Sequence, residues 1–372
     1  MHDLRLIHLD SIDDLRRAAP AWDDLWTRSG VTLPTARAEL LAQWVEQFEP
    51  RARFHALVVE DGDRWVAALP LAPCTLGHLM TAGGMPSNEW SDSGELLLDA
   101  DADDPDAALD TLVAGMAELP WQLIWLNDVV ADAPRWQALQ AAIARAAMPA
   151  DIRPRLQVGR IEIDHDWDAC RQRWSRKHRQ QMARHIRQLD RRGDLQWALL
   201  SEFAPGEVES YLRAGFQIED RSWKGASGTS VLCTPAMFNF FLRQAEQLAA
   251  WGQLQLAFLR SQGRPIAFGY GMAAKGVYHS CKIGYDPAYA DYSPGQLLRY
   301  GLLERFHADP AWQALDCRGP MTPAHRCWRP TPYTIGRLTV APRGLPGRLA
   351  IGAYRRWWPK QRCEAECVMN TR

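Results

Sequence analysis

The sequence of 372 residues has no long apolar run and almost no net charge. No stretch approaches the roughly 20 apolar residues that a membrane-spanning helix needs, so none is expected. The formal net charge of −1 argues against nucleic-acid binding by overall charge. The first residues, MHDLRLIHLDSIDDL, are charged from residue 3 and lack the apolar core of a secretory signal. We therefore expect a cytoplasmic protein.

The eight cysteines form no metal-binding or disulfide pattern. No CxxC pair occurs, and the closest two, Cys363 and Cys367, have no histidine nearby. This spacing favours free thiols over a zinc site or a disulfide framework. Walker, HExxH and GxSxG motifs are also missing, so no motif indicates a kinase, a zinc hydrolase or a serine hydrolase. No metal cofactor is expected.

The length of 372 residues predicts two α/β domains of similar size, and the 47% of hydrophobic residues allows each half to build a core. In the first half, helical periodicity at 11–28 and 36–48 precedes two strands at 54–61 and 65–73. The second half has a strand in RLQVGRIEI and then a series of further elements. These are a long basic helix at 167–192, helices at 204–216 and 235–251, strands at 254–260, 265–274 and 277–285, and a short strand near 314–318. The two outlines are alike without a residue-level repeat, which predicts one fold in tandem.

The segment HSCKIGYDPAYADYSPGQLLRYGL at 279–302 carries most of the functional information. A strand ends there and a helix begins at Ser-Pro-Gly. The free N–H groups and partial positive charge of a helix N-terminus suit a phosphate group. Ser293 is a favourable N-cap, Pro294 fits the first turn, and Gly295 leaves room for a close approach. An ordinary capped helix after a loop is the alternative explanation.

This βββα order, with YDPAYADYSPGQLL at the junction, resembles the acyl-CoA transferases of the GNAT superfamily. It is most similar to their tandem-domain CelD/BcsL-type branch of cellulose and exopolysaccharide synthesis, a relative of the FemAB-type aminoacyl transferases. Stretches at 174–193, 219–229 and 263–267 carry the same resemblance, which covers about residues 167–320. The first half matches only in general pattern.

The resemblance implies an α/β (α+β) fold of two tandem GNAT-like domains, each a mixed, mostly antiparallel sheet flanked by helices. The expected parts are a degenerate N-terminal domain at 1–152, an acyl-CoA-binding domain at 153–342 and a basic, aromatic tail at 343–372. Acetyl-CoA or another acyl-CoA would lie where the central sheet splays. Its pyrophosphate would lie on the N–H groups of residues 293–297. The implied cofactor-binding residues are Tyr292, Ser293, Gly295, Gln296 and Leu297.

GNAT-type transfer implies a general base and a proton donor for the leaving thiolate, and four residues are candidates. His279 titrates near neutral pH, but strand alternation places it on one face with Val277, Cys281 and Ile283, where a packed histidine fits equally well. Glu219 is expected in a loop, where acidic side chains are usually only solvated. The other two are Tyr285, which could protonate the thiolate or pack, and Asp286, which also suits an Asp-Pro turn.

Four further residues are predicted to bind the substrate: Trp223, Lys224, Asp316 and His325. Trp223 could stack on the acceptor and Lys224 could meet a phosphate or carboxylate; a packed Trp beside a surface Lys is the alternative. Relatives of this branch commonly carry Tyr-Lys where this chain has Ala324-His325. The acceptor is therefore expected to differ from theirs.

The functional expectation is an acyl-CoA-dependent N- or O-acyltransferase acting on a sugar, lipid intermediate or small metabolite, in exopolysaccharide or cell-envelope synthesis. A FemAB-like tRNA-dependent aminoacyl transferase and a non-catalytic binding module are the alternatives. The basic helix would attract CoA, an anionic glycan or lipid, or tRNA, although bulk charge argues against nucleic acid. The tail sequence AYRRWWPK suggests peripheral membrane contact.

Overall fold

A computed structural model of the chain describes residues 4–76 and 80–357. Within these residues, unit 1 comprises 4–31, 35–157 and 333–357, and unit 2 comprises 32–34 and 158–332. The expected border between 152 and 153 falls inside one strand, Ala150–Glu162, whose first part belongs to unit 1 and whose last part belongs to unit 2. No helix of the described chain is long and apolar enough to cross a membrane.

Unit 1 begins with a strand and three helices and continues as alternating strands and helices. Its elements up to the shared strand are β1 (Leu4–Leu9), α1 (Ile12–Arg17), α2 (Ala19–Arg28), α3 (Ala38–Phe48), β2 (His55–Asp61), β3 (Arg64–Leu76), β4 (Met80–Gly84), β5 (Leu97–Leu98), α4 (Pro105–Met116), β6 (Ile124–Val130), α5 (Pro134–Arg145) and β7 (Ala150–Glu162). The expected hairpin is confirmed as β2 and β3, which are antiparallel. The expected helix at 11–28 is wrong as one element, because it breaks at Ala18.

Unit 2 contains the longer helices and the strands that carry the functional segment. Its elements are α6 (Trp167–Arg173), α7 (Arg176–Asp190), β8 (Gln196–Leu200), α8 (Glu207–Asp220), α9 (Trp223–Ala226), α10 (Met237–Ala250), β9 (Leu254–Ser261), β10 (Arg264–Ala274), β11 (Val277–Tyr285), α11 (Pro294–His307), β12 (Ala314–Pro320) and α12 (Pro323–Arg326). The three consecutive strands are confirmed as β9, β10 and β11. Their mutual pairing is antiparallel.

The chain then forms two elements that complete unit 1: β13 (Thr331–Val340), whose first two residues belong to unit 2, and α13 (Leu345–Trp357). In unit 1 the strand order is β1-β2-β3-β4-β6-β13, with β5 beside β3. In unit 2 the order from the last part of β7 is β12-β11-β10-β9-β8. Only the β4–β6 and β11–β12 pairs are parallel among the described pairings, so the expected mixed, mostly antiparallel α/β architecture is confirmed.

The basic segment at 167–192 is two helices, so the prediction of one long helix is wrong. The α6 helix ends at Arg173, and Trp174 adopts an extended conformation. Ser175 then caps α7, with its side chain accepting a hydrogen bond from the N–H of His178. A serine followed by a new turn of helix is a strong start signal, which the continuous arginine pattern concealed.

The first part of the expected tail forms α13, which packs against the rest of unit 1. Ile351 is buried beside Ala82, Leu123 and Ala341. The Tyr354 ring lies 4.2 Å from the Arg153 guanidinium. Residues 358–372 of the expected tail, including Cys363 and Cys367, lie outside the described residues.

Candidate functional site

The β11 and β12 strands part after a short parallel ladder. The ladder joins Val277–His279 to Ala314–Asp316, while β11 continues to Tyr285 and β12 to Pro320. Arg318, on β12, has a φ of 55°, a left-handed conformation that breaks the regular extended strand. The opening between the two strands is the splay that the resemblance implied.

A β-bulge in β11 reverses the facing of its last residues. On β10, Tyr270 pairs with Lys282 and Gly271 pairs with Ser280, so Cys281 is the additional residue. Side chains alternate along a strand, and one inserted residue shifts the alternation. The expectation that His279 and Ile283 share a face is therefore wrong. Ile283 instead approaches Gly295 on α11, and so does Tyr285.

The α11 helix begins immediately after a 3-10 turn at Pro287–Tyr292. Ser293 lies in the N-cap position, but its φ is 51° and its side chain caps nothing, so the prediction of a serine side-chain cap is wrong. The N–H groups of Ser293, Gln296 and Leu297 donate to backbone carbonyls at 2.9, 2.9 and 3.1 Å. Pro294 has no N–H group, which leaves Gly295 as the backbone donor open to a ligand in this turn.

A cavity of about 260 Å³ lies in unit 2 between the end of β11, the start of α11, α9 and α12. It brings together six of the predicted site residues: Trp223, Lys224, Tyr285, Gly295, Gln296 and His325. Its other lining residues are Ser222, Ile283, Gly284, Arg299 and Ala324. Residues more than 70 positions apart in the sequence thus meet at one opening, so this cavity is the candidate functional site.

Lys224 enters the cavity already paired. Its Nζ donates to Glu219 Oε1 at 2.6 Å and to the Ile283 carbonyl at 3.1 Å. Glu219 is the penultimate residue of α8 and is 2% exposed, so the prediction that it lies in a loop is wrong. Its other oxygen accepts the N–H of Val231 at 3.3 Å. Glu219 therefore neutralises and positions Lys224, and it does not line the cavity.

Gly284 explains how α8 comes so close to β11. A Cβ atom at this position would lie 2.6 Å from the Glu219 Cα atom. Only glycine permits the two backbones to approach to this distance. The contact fixes the end of α8, and with it the Glu219–Lys224 pair, beside the bulged end of β11.

His325 is the titratable ring at the opposite side of the cavity. Its Nδ1 lies 3.0 Å from the Pro320 carbonyl, which can only accept, so we assign the proton to Nδ1. The Thr322 N–H lies farther away, at 3.3 Å, and would need the other tautomer. Burial and the nearby Arg299 charge lower the pKa of His325 to about 4. The ring is therefore neutral at pH 7, with its lone pair on Nε2.

His279 lies outside the cavity lining and is 2% exposed. Its Nε2 lies 3.1 Å from the Thr32 carbonyl and 3.1 Å from the Thr32 hydroxyl, within unit 2. The carbonyl requires a proton on Nε2, which leaves Nδ1 with the lone pair, 4.0 Å from the Asp316 carboxylate. Burial lowers the pKa of His279 to about 4. Through these contacts His279 holds the segment at Thr32 beside β11, which is a structural role.

The remaining predicted residues lie around the cavity without lining it. Asp286 pairs with Arg221 at 3.3 Å and accepts the Ala288 N–H at 3.0 Å. The Tyr292 ring lies 4.8 Å from the Arg192 guanidinium. Leu297 is fully buried, and Asp316 accepts the Arg318 N–H at 2.8 Å. The structure thus gives each of these residues a local structural contact.

Arg299 is the cavity residue that sequence reasoning missed. It lies one helical turn after Gly295 and is 6% exposed, with Leu298, Leu302 and Leu303 around it on α11. A cation among the buried positions of a helix was the available signal, since Arg is almost never buried without a partner. In the described chain, no group of His, Cys, Asp and Glu is placed to hold a metal ion.

Comparisons with known proteins bear on the family and the fold of the chain. Residues 176–317 match the family model described as an acetyltransferase (GNAT) domain. No match was found among curated proteins. Among solved structures, FemX has a TM-score of 0.61 at 10% identity, over 90% of this chain and 96% of that one.

Two other solved structures are similar at 12% identity over 92% of this chain. One is a conserved protein of unknown function from Bacteroides thetaiotaomicron, with a TM-score of 0.55 and 100% of its own chain covered. The other is the C-terminal domain of a protein described as a lysylphosphatidylglycerol synthetase from Agrobacterium fabrum, with a TM-score of 0.52 and 97% covered. At these identities the likeness shows the fold alone. The family match supports the expected GNAT fold for residues 176–317, and the CelD/BcsL branch stays a prediction.

Proposed function

We propose that the chain is an acyl-CoA-dependent N- or O-acyltransferase. The observation that carries the proposal is the cavity where β11 leaves β12, with Gly295 at the start of α11 on its wall. A helix N-terminus with an open N–H group favours an anionic ligand such as the pyrophosphate of CoA. The GNAT family match over 176–317 includes every element that forms the cavity except α12.

The side chains of the cavity suit direct acyl transfer. An amine or hydroxyl of the acceptor would attack the thioester carbonyl and give its proton to Nε2 of His325. The C–S bond would then break, and the CoA thiolate would take a proton from the Tyr285 hydroxyl. A low pKa makes His325 a weak base, but it keeps the ring unprotonated and ready to accept at neutral pH. Lys224, held by Glu219, would orient the acceptor.

The proposed class of acceptor rests on the resemblance of the sequence to the CelD/BcsL branch. A sugar, a lipid intermediate or a small metabolite of exopolysaccharide or cell-envelope synthesis fits the CelD/BcsL branch. His325 in place of the usual lysine supports an acceptor that differs from those of the branch, because a neutral imidazole and an ammonium recognise different groups.

Gly295 offers the direct test of the donor site. A Cβ atom there would lie 3.5 Å from Ile283 Cδ1 and 3.9 Å from Tyr285 Cδ1, which is ordinary contact. Gly295→Ala should therefore fold and bind, whereas the larger ring of Gly295→Phe must enter the space between those side chains. We expect calorimetric titration with acetyl-CoA to show at least a tenfold weaker Kd for Gly295→Phe.

Both variants should keep the wild-type thermal midpoint within a few degrees, which separates a blocked site from an unfolded protein. Equal affinity of Gly295→Phe and the wild type would remove CoA from this position. Saturable CoA binding without turnover on any acceptor would instead support the non-catalytic module.

A second candidate is aminoacyl transfer from tRNA, and the exposed side of α7 favours it. Exposed cations on α7 are Arg176, Lys177, Arg184 and Arg187, and Arg191 is exposed immediately after the helix. A row of cations that binds a phosphate backbone gives an affinity that falls steeply with salt. Binding of aminoacyl-tRNA with a strongly negative salt slope, together with no affinity for acyl-CoA, would favour this candidate.

A further inference from the structure

Arg299 places an uncompensated positive charge in the cavity. Its side chain is almost fully buried, and its Nη1 atom has no hydrogen-bond partner. No carboxylate in the described chain makes an ion pair with it. A guanidinium always carries its charge, so it cannot escape burial by losing a proton. A buried cation without a partner is costly, and an anion brought by a ligand would satisfy it.

The position of Arg299 is deeper than the helix N-terminus. It lies four residues beyond Gly295, which is one turn into α11. Its charge acts on Tyr278 of β11 and on Cys317 of β12, so the guanidinium lies beside both strands near their divergence. It also acts on His325 across the cavity. Arg299 is also more buried than Gly295, so a ligand group that contacts it lies deeper in the cavity than the start of α11.

The charges around the cavity select the kind of anion. Lys224 is neutralised by Glu219, and the His325 ring is neutral at pH 7. Burial raises the pKa of the Cys317 and Cys327 thiols, so neither supplies a thiolate. One net positive charge remains, which a carboxylate balances.

We propose that Arg299 binds a carboxylate group of the substrate within the cavity. The planar guanidinium can hold a carboxylate through two parallel hydrogen bonds, which gives orientation as well as charge balance. The carboxylate would belong either to the acyl group, as in a dicarboxylic acyl-CoA, or to the acceptor, as in an amino acid. The inference rests on the proposed function only for the identity of the molecule that carries this group.

The experiment compares the full-length wild type with Arg299→Met, Arg299→Lys and the control Arg305→Met. Arg305 lies on the same helix, is exposed and does not line the cavity. Two probe pairs differ only in the acid. Succinyl-CoA against butyryl-CoA tests the acyl group by calorimetry. N-acetylglycine against its amide tests the acceptor by thermal midpoint at fixed ionic strength.

We expect the acidic member of one pair to bind at least tenfold more tightly to the wild type and to Arg305→Met. The preference should vanish in Arg299→Met and fall in Arg299→Lys, which keeps the charge and loses the two-point geometry. If the CoA thioester pair shows this preference, the carboxylate belongs to the acyl group. If the N-acetylglycine pair shows it, the carboxylate belongs to the acceptor. No discrimination in the wild type, or an equal preference in Arg299→Met, overturns the proposal.

Two further readouts separate the possible failures. The ligand-free thermal midpoint of Arg299→Met should equal or exceed that of the wild type, because an unpaired buried charge is removed. A large fall indicates a structural role and counts against a binding role. If no CoA thioester binds while N-acetylglycine discriminates, the carboxylate site stands and the proposed donor fails. If both thioesters bind equally and neither pair discriminates, the donor stands and the carboxylate site fails.

Discussion

Two histidines of unit 2 show how one residue type serves different purposes. Burial lowers the pKa of both His279 and His325 to about 4, so both are neutral at pH 7. The N–H group of His279 donates a hydrogen bond to the Thr32 carbonyl, and the residue does not line the cavity. The N–H group of His325 donates a hydrogen bond to the Pro320 carbonyl, and the lone pair on its other ring nitrogen remains available at the cavity wall. The hydrogen-bond partner, more than the pKa, distinguishes the structural role of His279 from the proton-accepting role proposed for His325.

Replacing His279 should cost stability and spare the donor site. In His279→Phe, the half-buried Thr32 carbonyl and hydroxyl lose their partner, which we expect to lower the free energy of unfolding by about 1–3 kcal/mol. Urea denaturation measures the loss. The Kd for acetyl-CoA should stay within twofold of the wild type, since the residue does not line the cavity. A catalytic role would instead appear as lost turnover at unchanged stability.

The Glu219–Lys224 pair predicts a non-additive result. Lys224→Met leaves a carboxylate that is nearly fully buried without its cation, and we expect a loss on the order of 2–4 kcal/mol. Glu219→Gln combined with Lys224→Met removes both charges and should recover much of that loss. Thermal and urea denaturation of the single and double variants measure the coupling free energy between Glu219 and Lys224.

The matched control for that pair is Arg145→Met, which breaks exposed contacts with Asp106 and Asp110. Its effect should be much smaller, because exposed ion pairs contribute little. Equal losses in Lys224→Met and Arg145→Met would contradict the structural role assigned to Glu219.

At the scale of elements, alternation and turn residues predicted the strands that pair locally. The hairpin of β2 and β3 and the meander of β9, β10 and β11 follow from apolar runs separated by short Gly-containing turns. The short strands β1 and β8 and the returning strand β13 were missed, because their pairing depends on distant partners. The bulge at Cys281 was also missed, since an inserted residue is invisible until the register of β10 is known.

The candidate site was predicted in part for the same reason. The loop before α9 and the strand-to-helix junction carry local signals, so Trp223, Lys224, Tyr285, Gly295 and Gln296 were found, and the motif position gave His325. The roles expected of Glu219, Ser293 and His279 depended on conformation and burial, which the sequence alone did not reveal. Arg299 was missed because its helix otherwise has ordinary apolar spacing.

The α13 helix predicts opposite results for two neighbouring apolar residues. Ile351 is buried against unit 1, whereas Leu349 is 64% exposed. Ile351→Ala should lower the free energy of unfolding by about 2–4 kcal/mol through lost burial and a cavity. Leu349→Ala should change it by less than about 0.5 kcal/mol. Matched urea curves test both, and equal effects would contradict the packing of α13.

At the scale of the whole molecule, the buried histidines make folding sensitive to mild acid. In the folded chain His279 and His325 stay neutral down to about pH 4, while in the unfolded chain they take up protons below about pH 6.5. The unfolded state thus binds more protons between those values, so stability rises with pH there and is lost as pH falls. His178 and His185 add to the same trend, because burial lowers the pKa of each.

We expect urea midpoints to fall steadily between pH 7 and pH 4.5. Buried His279 alone should contribute roughly 2–3 kcal/mol to this fall, because its pKa is about 4 in the folded chain and about 6.5 in the unfolded chain. His279→Phe should flatten the pH dependence while lowering stability at pH 7. Midpoints that do not change over this range would show that these rings are not buried as neutral groups.

The strand β13 has a consequence for how the chain is made. Most of unit 1 precedes unit 2 in the chain and leaves the ribosome before it, yet its sheet lacks β13 and its surface lacks α13 until residues 333–357 have been synthesised. Nearly all of unit 2, residues 158–332, emerges as one uninterrupted piece before that point. Domains usually fold in the order of their synthesis. Here the unit that is begun first must wait to be finished last, with the β6 edge left unpaired in the nascent chain.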